Sequence, residues 1–496
     1  MSDSHSAPTV AQMHTPNDDL RSIVAHTTAE IHRYQDPLRT LEDKRPNAQL
    51  ELDSVVCPIL TLPPEITSGI FIRCLDHGPN NSRKCREAPM LLLHVCRTWR
   101  DVAISTRALW TTVNLMTRRT VDEVELEVGI LKTWFDRAGN LPLSVKLEIS
   151  WELRDDAVNT IYEALAGLSC RVQSLELHTS PTRLPYTLGL PKCSFPLLRT
   201  LTISHGYPGD LPSLPIEFFK NSPLLSELSV PDIASSFLSF PWHQLSKFTG
   251  TFQDLRHILE VVRLCPNLTE ISLATSPIVG HALPAFADFS SVKHSNIRSL
   301  TLFATPESYH RHFPLRRLQI LDLLTLPALR TFQLLQFEEE AFRVAPDAIS
   351  SFLSRSSAPL QKFVIHSWGP TLYPIEMFYK LPTALVDLEI WAPRRWFLVD
   401  FFRALENLDP DFLPRLRHLA FLRCTAYPDS LSSLEAGLAA RWRARPDFAE
   451  LSFRFAWISN ACPESAEDFE VQLLPFKRLV AEGMDIRIEK GSTSYI

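Results

Sequence analysis

Glycine is scarce in this sequence: 14 residues in a chain of 496, against 38 prolines. Loops that cradle phosphate, and tight turns that present catalytic groups, rely on glycine because it alone enters positive φ without steric cost. In keeping with that shortage, the chain contains no G-x-x-x-x-G-K-[ST], no G-x-G-x-x-G, no G-x-S-x-G and no H-E-x-x-H. Long apolar runs are missing as well; no stretch approaches the roughly 18 uninterrupted apolar residues of a membrane span. The N-terminal "MSDSHSAPTVAQMHTPNDDL" lacks the apolar core of a signal peptide, so a soluble protein is expected. Cysteine is sparse, nine residues with no close-set framework, which reads as reduced thiols in the cytoplasm or nucleus and leaves the sequon at Asn267 unglycosylated. Excess positive charge is also absent: a net charge of -6 and a pI near 6.3 give no electrostatic reason to expect nucleic acid or an anionic membrane as partner.

What the chain does have is length, a hydrophobic fraction of 45% ordinary for folded proteins, and proline to punctuate many short elements. Residues 1–19 are too polar to fold and are expected to be a disordered tail. Over 20–54, Leu20, Ile23, Thr27, Ile31, Tyr34, Leu38 and Leu41 recur at three- or four-residue steps and mark one helical face, with Pro37 expected to kink or split it. Two readings stay open for this face: a coiled-coil dimer, or a short helical piece folded onto the next domain.

Residues 55–118 read as three short helices. Pro63 and Pro64 suit a first helical turn, whose amides lack partners anyway. Ile66, Ile70, Phe71, Cys74 and Leu75 are assigned to one apolar face. The turn formers of "DHGPNNSRKCREAP" make a loop, and a second helix runs through "MLLLHVCRTW" towards "ALW" at Ala108–Trp110. The order and spacing of "LPPEITSGIF", "VCRTWRDVA" and "ALW" resemble the F-box, with a loop at 76–88 longer than in the shortest members. Taken alone, Trp99 is better explained as a core residue, and the two roles are compatible.

From about residue 140 an apolar-x-x-apolar-x-apolar segment recurs, beginning at Val172, Leu198, Leu225, Leu268, Ile297, Leu329, Leu360, Leu385 and Leu416, with a degraded copy at Leu245 and a late one at Phe448. "LQILDL" at Leu318 fits the pattern but lies too close to Leu329 to head a unit of its own. The alternation at the end of each segment is the period of a strand, and "PIEFFKNSP", "LRHILEVVRLCP" and "DAISSFLSRSSAP" between segments read as helices. One unit cannot seal its own core: burying a Leu or Ile contributes about 1.5–3 kcal/mol, while ordering each backbone residue costs about 1–2 kcal/mol. Units must therefore stack. At these spacings they resemble leucine-rich repeats, although the asparagine or cysteine that usually ladders the turns is missing. The expected fold class is α/β: an N-terminal helical F-box followed over 119–460 by a leucine-rich-repeat-like solenoid with a parallel sheet on its concave face. Residues 461–496, a helix then a strand, are expected to cap it.

Parity names the outward residues of the strands. The fifth positions run from Glu176 through Thr202 and Ser229 to Ala420; the seventh from His178 to Phe303, Leu335, His366, Trp391 and Leu422. Phe303, Leu335, His366, Trp391 and Leu422, extended by Arg394, Arg395 and Trp396, form a candidate target-binding surface rich in interface-anchor residue types. The competing reading is that a C-terminal element covers them. Cys74, His77, Cys85, His94 and Cys96 invite a zinc reading, but Cys74 and Cys96 are assigned to apolar helix faces, so core thiols are expected and no metal or cofactor. Cys85 in "SRKCRE" is the one thiol inside a local cluster of basic residues, and it falls in a loop where a solvated charge run is expected.

The F-box resemblance implies a non-catalytic substrate-recognition subunit of a Skp–cullin–F-box ubiquitin ligase. Leu62, Pro63, Pro64, Ile66, Ile70, Phe71, Leu75, Val95, Cys96, Trp99, Leu109 and Trp110 would pack with or against a Skp-type adaptor, and through it cullin, while the repeats hold an unidentified target protein. The alternative is an F-box and repeat scaffold acting outside the ligase.

Overall fold

A computed structural model describes residues 16–54, 61–75, 87–117, 121–150, 152–179, 194–204, 217, 219–230, 239–252, 255–275, 290–304, 318–337, 339–409, 411–424, 428–444, 452–457, 466–490 and 493–496. The helices are α1 (Pro16–Ser54), α2 (Pro64–Arg73), α3 (Leu92–Val95), α4 (Arg97–Ser105), α5 (Val121–Ala138), α6 (Asp155–Leu168), α7 (Leu255–Leu264), α8 (Ile320–Leu323), α9 (Glu339–Ser356), α10 (Glu376–Tyr379), α11 (Arg395–Glu406), α12 (Pro428–Ala444) and α13 (Ala466–Ala481). The strands are β1 (Thr112–Thr117), β2 (Leu143–Ile149), β3 (Val172–His178), β4 (Thr200–Ser204), β5 (Glu227–Val230), β6 (Lys247–Phe252), β7 (Glu270–Thr275), β8 (Val292–Lys293) and β9 (Ser299–Ala304). They continue with β10 (Leu324–Thr325), β11 (Thr331–Phe337), β12 (Lys362–Thr371), β13 (Asp387–Pro393), β14 (His418–Cys424), β15 (Ser452–Trp457), β16 (Asp485–Lys490) and β17 (Thr493–Ser494).

Fifteen strands form one sheet in chain order, with only the two-residue strands β8 and β10 set aside as a separate pair. Neighbouring strands are parallel throughout, save the final antiparallel β16–β17 step. Parallel neighbours require a crossover each time, and α5, α6, α7, α9, α10, α11, α12 and α13 supply crossovers between successive strands of this sheet. The protein is thus α/β with one large parallel sheet. The repeated segments lead into strands of it, the degraded copy at Leu245 included; of the late copy at Phe448 only Ser452 and Phe453 are described, and they begin β15. "LQILDL" instead makes a turn and α8, ending just ahead of β10, because Leu329 heads the segment whose strand pairs with β9. The sheet starts earlier than expected: β1, inside the stretch assigned to the three helices, pairs residue for residue with β2 from Thr112 opposite Ser144 to Thr117 opposite Ile149. At the other end β16 adds a further parallel strand beside β15, and only β17 breaks the pattern.

Burial alternates along much of the sheet, with single-step departures in β3, β11 and β14. In β2, Leu143, Val145, Leu147 and Ile149 are buried and the residues between them half-buried; β9 and β13 repeat the alternation. The buried face meets the helical layer: Phe421 of β14 stacks edge-on with Phe401 and Phe402 of α11 at centroid distances of 5.3 and 5.5 Å, and Phe402 meets Phe453 of β15 at 6.2 Å. α12 approaches α11 closely at Gly437, where a Cβ would lie 2.6 Å from the Phe402 carbonyl oxygen.

Backbone and arginine bonds join the turns of successive units. Just ahead of most of the middle strands one carbonyl accepts from two successive amides of the next unit: Arg199 O from Ser226 and Glu227, Ser226 O from Ser246 and Lys247, Ser246 O from Thr269 and Glu270, Arg298 O from Arg330 and Thr331. The ladder runs on through Gln361 and Val386 to Arg417. Buried turn carbonyls need partners, and helix-borne arginines give them: Arg355 donates to Leu324 O at 3.1 Å and Arg441, itself buried, to Phe412 O at 3.1 Å.

Two expectations are corrected among the connections. "PIEFFKNSP" forms no helix in its described part, since Phe219–Asn221 is a turn; Pro215, Ile216 and Phe218 lie outside the described residues. α1 is one helix from Pro16 to Ser54, with Pro37 and Pro46 inside it, so Pro37 does not split it and the expected disordered tail is helical over 16–19. Nor does α1 fold onto the next domain: every one of its side chains that is described is exposed. Among the described residues, no helix is long and apolar enough to cross a membrane.

Candidate functional site

The short helices ahead of the sheet are set by local chemistry. Pro63 holds φ -54° and ψ 144° before α2, and its carbonyl accepts from the amides of Ile66 and Thr67, both at 3.0 Å. Pro64 occupies the first turn, where a missing amide costs nothing. Cys96 caps α4, its Sγ accepting from the Trp99 amide at 3.4 Å. The Arg100 Nε donates to Leu93 O at 2.8 Å and ties α4 to α3. The segment is anchored to the sheet through Trp110. Its indole is fully buried, donates to Ala103 O at 2.9 Å, lies 4.8 Å edge-to-face from Trp134, and carries the Arg137 guanidinium 4.4 Å above it.

This packing divides the candidate adaptor-binding residues. Phe71, Leu109 and Trp110 are buried and have no surface to offer a partner; they support the segment from inside. Trp99, half-buried, packs edge-on against Phe71 at 5.0 Å, and Leu62, Leu75 and Cys96 are also half-buried. Pro63, Pro64, Ile66, Ile70 and Val95 are exposed. The single apolar face assigned to α2 is therefore corrected: Thr67 and Phe71 point inward, while Ile66 and Ile70 share the opposite, open side and Cys74 is an exposed helix end. A threonine bonded through its Oγ1 to Pro63 O can enter the core in place of isoleucine, because its hydroxyl is satisfied locally. Ile72, Leu91 and Ile104 are exposed in the same segment, and the sequence reading missed them. Their signal was the crowding of apolar residues in helices too short to bury more than one face.

The candidate target-binding residues fall in two places. Register places Phe303, Leu335, His366, Trp391 and Leu422 side by side on five neighbouring strands, each opposite the next. All five are half-buried. His366 and Trp391 lie 4.7 Å apart, and the Trp391 indole donates to Glu389 Oε1 at 2.5 Å. Burial, reinforced by the Arg423 charge and opposed by Glu389, holds the His366 imidazole below its usual range. Arg394 does not join this row. It is occupied by Glu339 at 2.7 Å and Pro370 O at 3.0 Å. Arg395 is half-buried at the start of α11, 5.9 Å from the ring of Trp396, which is 70% exposed.

A polar chain crosses the first strands on the same outward side. Lys146 Nζ donates to Glu176 Oε1 at 2.7 Å, Glu176 meets His178 Nε2 at 2.5 Å, and the other ring nitrogen of His178 meets the Ser204 hydroxyl. Burial alone would raise the Glu176 carboxyl, but the bonds from Lys146 and His178 outweigh it and hold it below the ordinary carboxylate value. With each member held by the next, the chain ties β2, β3 and β4 together. Beyond the strand ends Thr112, Ser144, Ser174, Thr200, Arg199 and Glu227 line a polar cavity of 440 Å³ that contains neither histidine nor cysteine.

Of the thiols, Cys265 and Cys424 are buried; burial pushes the Cys265 thiol up to about 12 and the Cys424 thiol well above its ordinary value. No group of three or more histidines, cysteines, aspartates or glutamates among the described residues could hold a metal ion. Cys74 and Cys96 end and begin helices rather than lining apolar faces as expected, and His77 and Cys85 lie outside the described residues. Compared with known protein families and with curated proteins, the chain matches no family model and no curated sequence.

Proposed function

We propose that this chain is a non-catalytic substrate-recognition subunit of a Skp–cullin–F-box ubiquitin ligase, acting in the cytoplasm or nucleus. In this reading the proline-led segment 61–110 is an F-box that binds a Skp-type adaptor. The sheet and its helices are a leucine-rich-repeat-like solenoid that binds the target. The observation that carries it is the open apolar side of α2 and α3: Ile66 is 54%, Ile70 40%, Leu91 43% and Val95 51% exposed on helices whose other faces are firmly anchored. Clusters of this kind mark protein partners. Strands stacked in chain order, with a half-buried aromatic and apolar row from Phe303 to Leu422, support a long binding face. Catalysis would then be proximity, a target lysine being concentrated beside the charged conjugating enzyme with no chemistry in this chain.

The test mixes the purified full chain with a purified Skp-type adaptor, then with cullin. The expected result is a ternary assembly that Ile66→Asp with Ile70→Asp abolishes while the far-ultraviolet signature and unfolding midpoint hold. Adaptor binding without cullin recovery would favour the second reading, a repeat scaffold outside the ligase. No adaptor binding by the folded wild type would end both.

A further inference from the structure

The longest helix of the protein has no use in that reading. α1 runs 39 residues with all its described side chains exposed, among them Leu20 at 60%, Val24 at 63%, Ile31 at 52%, Tyr34 at 59%, Leu38 at 56% and Leu41 at 66%. An isolated helix in water is marginal, and helices in proteins are held chiefly by packing one apolar face. Here that face exists and faces solvent. Leu20, Val24, Thr27, Ile31, Tyr34, Leu38 and Leu41 follow one another at steps of four and three residues, the alternation of a coiled-coil seam over about 32 Å of helix. Thr27, the one polar member, already donates its hydroxyl to Ile23 O at 2.7 Å, so burying it strands no donor. Pro37 and Pro46 both lie off the seam, and Arg45 occupies the next seam position and ends it.

We propose that α1 is a self-association element through which two copies of this chain pair, antiparallel, along the seam. The flanking residues choose both the occupant and the direction. Paired antiparallel, Val24 meets Leu41, Thr27 meets Leu38 and Ile31 meets Tyr34, so each smaller residue faces a larger one, and Leu20 lies opposite Arg45 where the seam ends. The same register sets Arg21 of one copy beside Glu42 of the other, twice by symmetry. Paired parallel, the flanks would oppose Ile23 to Thr28, Glu30 to Gln35 and Pro37 to Glu42, with no opposite charges, and would stack Thr27 on Thr27. Self-complementarity under a two-fold axis is the property of an isologous dimer. The assembly places two copies of everything that follows α1 in one particle, whatever their partner.

Sedimentation equilibrium of the full chain tests this. The expected mass is that of two chains, falling to one for Ile31→Asp with Leu38→Asp. Unfolding of the sheet, which α1 does not cover, should be unchanged in that variant. Arg21→Glu or Glu42→Arg alone should weaken the dimer about three- to thirtyfold at low salt, and the two together should restore it. A wild type of single-chain mass at tens of micromolar, or an Ile31→Asp/Leu38→Asp variant that stays dimeric, overturns the proposal. Failure of the charge exchange to restore affinity overturns the antiparallel arrangement.

Discussion

Between Leu20 and Ile104 the described helices leave thirteen large apolar side chains exposed, as many as the far longer remainder of the described chain. The strands bury one face, and the helices behind them bury whole aromatic clusters, such as Phe397, Phe401 and Phe402 against Phe421. The difference teaches where each part finds its stability. The sheet region closes its core within one chain, unit upon unit, whereas the N-terminal helices hold theirs at single points, Phe71 on Trp99 and Trp110 on Trp134, and leave the rest of their apolar surface exposed.

The largest effect that could break this comparison lies in the sheet. Phe421→Ala removes a ring touching Phe397, Phe401, Phe402 and Phe453, and is expected to cost about 3–5 kcal/mol. Denaturant titration with hydrogen exchange on β13 to β15 reads it; a loss confined to one strand would show that the units do not support one another. Gly437→Ala is expected next, at about 1–3 kcal/mol, because the added methyl meets the Phe402 carbonyl at the α11–α12 crossing. In the open region the comparison demands almost nothing: Ile66→Asp with Ile70→Asp should shift the unfolding free energy by no more than about 0.5 kcal/mol. A drop like that of Phe421→Ala would mean those isoleucines are core.

The contrast also explains what the sequence made legible. A segment such as "LRTLTI" at Leu198 announces its strand because alternation and unit spacing reinforce each other, so the parallel sheet and its outward residues were readable down to the row from Phe303 to Leu422. β1 was not, because "TVNLMT" lacks a leading repeat and gains its place by pairing with β2. In α2 the apolar residues outnumber the positions that one buried face can take, so Ile66, Ile70 and Phe71 could not be sorted from composition; only packing against Trp99 decides that Phe71 goes in. Arg394 looked free because its partner Glu339 is 55 residues away along the chain.

The smallest effect tests whether the outward row is as sheltered as its half-burial suggests. His366 sits between Leu335 and Trp391, with Glu389 on its own side of the sheet and Arg423 nearby, and burial there disfavours the imidazolium. A histidine whose pKa falls on folding is protonated first in the unfolded chain, so acid favours unfolding through it. Its stabilising contribution is complete above the ordinary value of 6.5 and is lost as the pH drops through the lower folded value. Glu176 acts in the same direction in a separate window, its contribution present above 4.5 and lost below as its depressed carboxyl protonates. His366→Phe keeps a ring against Trp391 and removes only the proton. It is therefore expected to flatten the stability profile immediately below pH 6.5 while leaving the fall below 4.5 intact, as read by unfolding midpoints across that range. An unchanged profile would mean that His366 is solvated like any surface histidine, and that the row it belongs to is open rather than sheltered.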